Sequence, residues 1–157
     1  MKLLLDTNIL LDIVLKRQPF VVQAAQVFTT AQHQKFPLYM TATTITDLFY
    51  IVRKAKGKDI ALAFIEDLLQ YVDVAAVDKL VILRALKLGL ADFEDAVQVG
   101  AAEKAGVDLI ITRNEPDFQN ATIRVLNPGQ FLQHYPIVPT TSEKNADSTA
   151  DSNGNKE

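Results

Sequence analysis

Cysteine is absent from this chain of 157 residues, which excludes disulfide frameworks, thiolate catalysis and cysteine-ligated zinc or iron–sulfur centres. Histidine is scarce: His33 and His134 are the only two, so a histidine-rich metal site is excluded as well. What remains for acid–base work is mostly carboxylate chemistry. Positive charge is not in excess either. Sixteen Lys and Arg stand against 19 Asp and Glu, a formal charge of −3 at pH 7, so no overall basic field points to nucleic acid or an anionic membrane. On charge alone, nucleic acid ranks low as a partner. A long apolar run at the start is also missing, because Leu3-Leu4-Leu5 is cut off by Asp6. That is too short for a membrane span or a secretory signal. The expectation is a cytoplasmic protein with no membrane partner.

What is present fits one globular domain. A chain of this length can bury a single core, and 48% hydrophobic with 22% charged residues is close to the globular average. Lys2 to Leu5 is an apolar run suited to a buried strand, after which Ile9, Leu10, Ile13 and Val14 recur at helical spacing. A second helix is expected from Pro19 to about Gln34 and a short strand from Phe36 to Met40. Thr41-Ala42-Thr43-Thr44 can then cap a helix whose apolar positions are Ile45, Leu48, Phe49 and Val52. Asp59 restarts a helix, Tyr71 to Val74 reads as a strand, Asp78 caps a helix running to Gly89, and Asp92 opens one that Gly106 ends. Val107 to Thr112 is the clearest strand, followed by a polar turn, a strand over Ile123–Leu126 and a helical turn around Phe131. This alternation predicts a mainly parallel sheet with helices on both faces. The domain is expected over 1–139. Residues 140–157 hold no aromatic or branched aliphatic side chain, so nothing there offsets backbone ordering and a disordered polar tail is expected.

In such a sheet ligands bind beyond the carboxyl ends of the strands. Four aspartates fall there: Asp6, Asp47, Asp95 and Asp117. Each has a purely structural explanation. Asp6 can be an N-cap, Thr44-Ile45-Thr46-Asp47 and Asp92-Phe93-Glu94-Asp95 each place an acid three residues after a capping side chain, and Asp117 can cap a turn. Four like charges in one crevice, however, repel unless protonated or neutralised. Mg²⁺ or Mn²⁺, one ion or two, would neutralise them through oxygen ligands, and such a site suits phosphodiester hydrolysis by an activated water.

Leu4-Leu5-Asp6-Thr7-Asn8-Ile9, Thr44-Ile45-Thr46-Asp47, Asp92-Phe93-Glu94-Asp95-Ala96 and Thr112-Arg113-Asn114-Glu115-Pro116-Asp117-Phe118 resemble, in order, the four acidic blocks of PIN domains. The resemblance covers about residues 1–135. It implies a three-layer α/β/α nuclease fold, Mg²⁺- or Mn²⁺-dependent cleavage of RNA, and kinship with VapC-type toxins of toxin–antitoxin pairs, with a cognate antitoxin and a homodimer as partners. By position it makes Asp6, Asp47, Asp95 and Asp117 the metal-binding catalytic acids. The second position, usually Glu in VapC-type toxins, is Asp47 here, which leaves direct or water-mediated contact open. Asp92 and Glu94 are rival ligands to Asp95, with Asp92 better explained as the N-cap.

Thr7, Asn8, Thr112 and Asn114 are candidates to orient a carboxylate, a water or a phosphate, or else to cap turns. Arg113 and the run Arg53, Lys54, Lys56 and Lys58 are candidates for RNA phosphates, the run alternatively being cations at a helix C-terminus. Asp12 is expected to be an exposed helix residue, the two histidines to be surface or packing residues, and Tyr39, Phe49, Tyr50, Phe64 and Phe118 to be core. Two other functions remain in view. One is a phosphohydrolase acting on small phosphate esters, with an aspartyl intermediate on Asp6 as one route. The other is a non-catalytic RNA- or partner-binding module.

Overall fold

Neighbouring residues of a strand face opposite ways, so a strand made only of large apolar residues needs cover on both sides. Leu3, Leu4 and Leu5 form such a strand (β1, Leu3–Leu5), and all three are fully buried. The structure, a computed structural model, describes residues 1–137. After β1 come α1 (Thr7–Val14), α2 (Val21–His33), β2 (Leu38–Thr41), α3 (Ala42–Lys56), α4 (Lys58–Leu68) and β3 (Val72–Ala75). Then follow α5 (Lys79–Leu88), α6 (Phe93–Ala105), β4 (Leu109–Ile111), a 3₁₀ turn (Glu115–Phe118), β5 (Arg124–Leu126) and α7 (Pro128–His134). The expected end of the fold at Pro139 and the expected disordered tail at 140–157 lie outside the described residues.

The strands pair in the order β3-β2-β1-β4-β5, every pair parallel. Leu3 and Leu5, with Leu38, Met40, Leu109 and Ile111, face helices α1, α2, α3, α4 and α7. Leu4 and Ile110 face α5 and α6. The result is the expected three-layer α/β/α sandwich, with a sheet that is parallel throughout. Among the described residues no helix is long and apolar enough to cross a membrane.

Local chemistry sets most helix ends. Asp78 accepts from the amides of Leu80 and Val81 at 3.1 Å each, and Asp92 accepts from those of Glu94 and Asp95. Gly89 and Gly106 close α5 and α6 in the left-handed region, both at φ 66°. α3 is capped by Thr41, whose hydroxyl accepts from the amide of Thr44 at 3.2 Å. The capping explanation for Asp47 therefore lapses, since Thr44 is a residue of the helix and Asp47 lies beyond its first turn. Of the five aromatic residues expected in the core, Phe118 is buried and Tyr39, Phe49 and Phe64 pack partly against it, but Tyr50 is 67% exposed. Leu48 and Val52 define the buried face of α3, and two residues on from Leu48 the helix has turned through roughly 200°.

α6 is the most deeply covered helix, with Ala96 through Ala102 all buried. Gly100 allows α5 to approach it: a Cβ there would lie 3.1 Å from the carbonyl oxygen of Val81 and 3.4 Å from its Cγ1. Gly100→Val is therefore expected to lower unfolding free energy by about 2 kcal/mol through overpacking. Urea denaturation measures it, and a variant as stable as the parent would contradict this account of the α5–α6 contact.

Candidate active site

In an open parallel sheet the ligand crevice lies at the carboxyl ends of the strands, where the strand order reverses. Here β1 to β3 extend one way and β4 is placed on the other side of β1. The chain leaves β1 at Asp6 and β4 at Thr112.

Asp6 occupies the N-cap position of α1 without making a side-chain capping bond. Its buried carboxylate accepts instead from Gln98 Nε2 at 2.8 Å, from Thr112 Oγ1 at 2.6 Å and from the Asn8 side-chain amide. Three donors from three separate elements hold it as an acceptor-only group. Thr112 Oγ1 in turn accepts from the Asn114 amide at 2.9 Å, and the Asn114 side chain donates to Asp117. A continuous polar chain thus runs from Asp6 to Asp117. Asn8 Oδ1 accepts from the Arg113 amide at 3.3 Å, which ties α1 to the same loop. Thr7 is directed elsewhere, to Thr44 at 3.0 Å and to Glu94 Oε1 at 3.2 Å.

Asp95, in the first turn of α6, is the electrostatic centre. Burial, then the charges of Asp6, Asp92, Asp117 and Glu94, push its carboxyl up to about 7. Glu94 is also raised, first by burial and then by Asp47 and other acids, against a lowering hydrogen bond from Thr7. Asp6, Asp95 and Asp117 are therefore brought together with Asp92 and Glu94. Asp47 joins them through Glu94.

No three of these acids close on one point as a ready-made ligand shell among the described residues. The donors are all oxygens, and the buried Oε1 of Gln98 has no hydrogen-bond partner. That set fits a Mg²⁺-like cation, which takes one or two carboxylates and keeps several waters, better than a cation needing a closed protein cage.

Sequence reasoning missed Gln98, which is fully buried. Its signal was available: it follows Asp95 by three residues, on the same face of α6, and is the one long polar side chain in the stretch 96–102. Asp12 requires a correction. Expected to be exposed, it is 0% exposed, with Arg113 Nε 2.8 Å from Oδ2 and Arg17 Nη1 3.9 Å from Oδ1. Neither oxygen accepts an aligned hydrogen bond, so the contact is ionic. Burial raises the Asp12 pKa while Arg113 and Arg17 oppose the rise. Arg113 also lies over the Phe20 ring, 4.0 Å from its centroid. Arg53, Lys54, Lys56 and Lys58 are exposed where α3 ends and α4 begins, and Lys56 is nine residues past Asp47, roughly 14 Å along the helix axis.

Solved structures share this fold. VapBC2 from Rickettsia felis, bound to a DNA fragment from its promoter, gives a TM-score of 0.66 at 15% identity, over 81% of this chain and 98% of that one. DNA-bound VapBC from Salmonella typhimurium gives 0.64 at 19% identity, over 82% and 98%. VapC20 from Mycobacterium tuberculosis, described as a Sarcin-Ricin loop cleaving toxin, gives 0.56 at 14% identity, over 69% and 87%. No curated protein matches in sequence. The family model of the PIN domain matches residues 2–115, a span that holds the crevice at β1 and β4 and all its acids except Asp117, and the chain belongs to the PIN domain family.

Proposed function

We propose that this PIN domain is a metal-dependent endoribonuclease and the toxin of a toxin–antitoxin pair, working in the cytoplasm. The observation that carries the reading is the set of acids around Asp95: burial first, and then the charges of Asp6, Asp92, Asp117 and Glu94, push that carboxyl up to about 7, and a divalent cation would relieve both. Asp6, Asp95 and Asp117 would hold Mg²⁺ or Mn²⁺, with Asp47 acting through water beside Glu94 and Asp92 remaining the helix cap. Such a cation supplies a water of lowered pKa and offsets charge on the phosphate. The chain's own part is positional. Gln98, Thr112 and Asn8 fix Asp6, and Asn114 fixes Asp117.

Arg113 is the RNA contact nearest the acids, and the run Arg53, Lys54, Lys56 and Lys58 serves phosphates farther along the strand. The antitoxin is supported by the VapBC complexes among structures of this fold. An apolar cleft of about 280 Å³ between α1, α2 and α4, lined in part by Leu10, Phe28, Phe64 and Tyr71, suits an apolar partner segment. Exposed Leu80, Leu83 and Leu86 on α5 support a homodimer.

Purified protein is expected to cut RNA with Mn²⁺ and not in EDTA, and the Asp6→Asn variant to be inactive in the same assay. Absence of metal-dependent cleavage, or equal cleavage by the variant, would overturn the reading. Gln98→Leu keeps the buried volume but removes one donor to Asp6, and a 10–100-fold fall in cleavage is expected, as for other groups that orient a ligand. A change of less than twofold in initial rate would remove Gln98 from the site.

A further inference from the structure

Beside the acids lies a second concavity, of about 200 Å³, lined by Phe20, Gln23, Arg113, Asn127 and Pro128. Two hydrogen bonds place it against the crevice. The Arg113 amide donates to Oδ1 of Asn8, whose side-chain amide donates to Asp6, and Asn127 Nδ2 donates at 2.6 Å to Glu115, which opens the turn carrying Asp117. The guanidinium of Arg113 is held on two sides, by Asp12 at Nε and by the Phe20 ring at 4.0 Å. Its two terminal amino groups donate no hydrogen bond to another side chain or to the backbone among the described residues, and the Arg113 hydrogen bond that is present comes from the main-chain amide.

We propose, resting on the ribonuclease reading, that this pocket is a base-recognition subsite for a guanine adjoining the scissile phosphate. The Asp12 carboxylate offsets the guanidinium charge, so a phosphate placed there gains little net attraction. The directed donors remain, and a planar pair of N–H groups matches the O6 and N7 acceptors of guanine. Phe20 and Pro128 supply apolar walls for a base face. Asn127 is committed to Glu115 and to the amide of Gln130, whereas Gln23 is exposed and its amide can reach a further edge of the base.

Binding and cleavage test this separately. Fluorescein-labelled U-hexamers carrying a single G, A or C are titrated against the inactive Asp95→Asn protein with Mn²⁺. The G hexamer is expected to bind about tenfold tighter than the others. Phe20→Ala should abolish that preference, and Gln23→Ala, at an exposed position, should reduce it severalfold with an unchanged melting curve. Equal binding of all hexamers would overturn the subsite, as would a preference that neither variant alters. Uniform weakening across sequences would mean a phosphate contact and would overturn it too. Mapped cleavage by the wild type keeps the two readings apart. Cutting without a guanine preference sinks the subsite alone. Absence of cutting alongside guanine-selective binding sinks the nuclease and leaves the subsite standing.

Discussion

Asp95→Asn is expected to lower RNA cleavage by about 10³-fold or more and, at the same time, to make the metal-free protein more heat-stable. Both effects come from one carboxyl. Folding raises its pKa from the ordinary 3.8 to about 7, so the folded state holds the proton more tightly than the unfolded chain. Such a group favours folding at low pH, and the advantage is lost as pH rises from about 4 through about 7. Asn keeps the shape without the charge. After screening by solvent the relief is on the order of 1 kcal/mol at pH 8, or roughly 2–4 °C. Melting curves at pH 5 and pH 8 in EDTA should show the variant gaining on the wild type as pH rises. Asp12, also raised, is present in both proteins and cancels in the comparison, whereas Glu94, raised too and coupled to Asp95, is relieved of one like charge in the variant and adds to the same trend. Added Mn²⁺ should raise the melting temperature of the wild type and leave the variant nearly unmoved. Parallel pH dependence of the two proteins, or undiminished cleavage by the variant, would refute the assignment.

The second large effect concerns stability and is asymmetric. Arg113→Met is expected to cost about 3–5 kcal/mol, because it leaves a buried carboxylate without its close partner. Asp12 is 0% exposed, and the remaining cation, Arg17, is 3.9 Å away. The reverse change, Asp12→Asn, should cost less, about 1–2 kcal/mol, since the side chain of Arg113 is 28% exposed and can regain water. Replacing both with apolar residues, Asp12→Leu with Arg113→Met, should recover most of the loss. In the single Arg113→Met variant, stability should improve as pH falls, because burial raises the Asp12 pKa and the lost cation no longer opposes the rise. Guanidinium denaturation of the four proteins decides it. If Asp12→Asn proved the more damaging of the two single changes, the ion pair would not be what holds the loop.

Much of this architecture is written locally. Alternating runs of three to five apolar residues with helical periods called for a parallel α/β sheet, and Asp78, Asp92, Gly89 and Gly106 end helices as their chemistry demands. The four acids also stood out, because Asp6, Asp95 and Asp117 fall at a change from strand or turn to helix and Asp47 follows one within two turns. Asp12 did not, although it follows Ile9 by three residues and so lies on the same buried stripe of α1. Helical spacing tells which side chains share a face. It does not tell that an arginine one hundred residues away will arrive to make a buried carboxylate tolerable. Gln98 was legible only as a polar residue on an apolar face, since its partner Asp6 lies 92 residues earlier, where β1 gives way to α1.

The chain alone thus determined its class, its helix caps and the residues able to do metal chemistry, because propensity, capping and side-chain ionisation act over a few residues. Only the tertiary structure decided which of them meet. The strand order put β1 beside β4, and that single adjacency joined Asp6 to Thr112, drew Asp117 into the same network and set Asp12 against Arg113. These pairings span about a hundred residues, and what selects them is which apolar faces can be covered together, a property of the whole core and of no local segment.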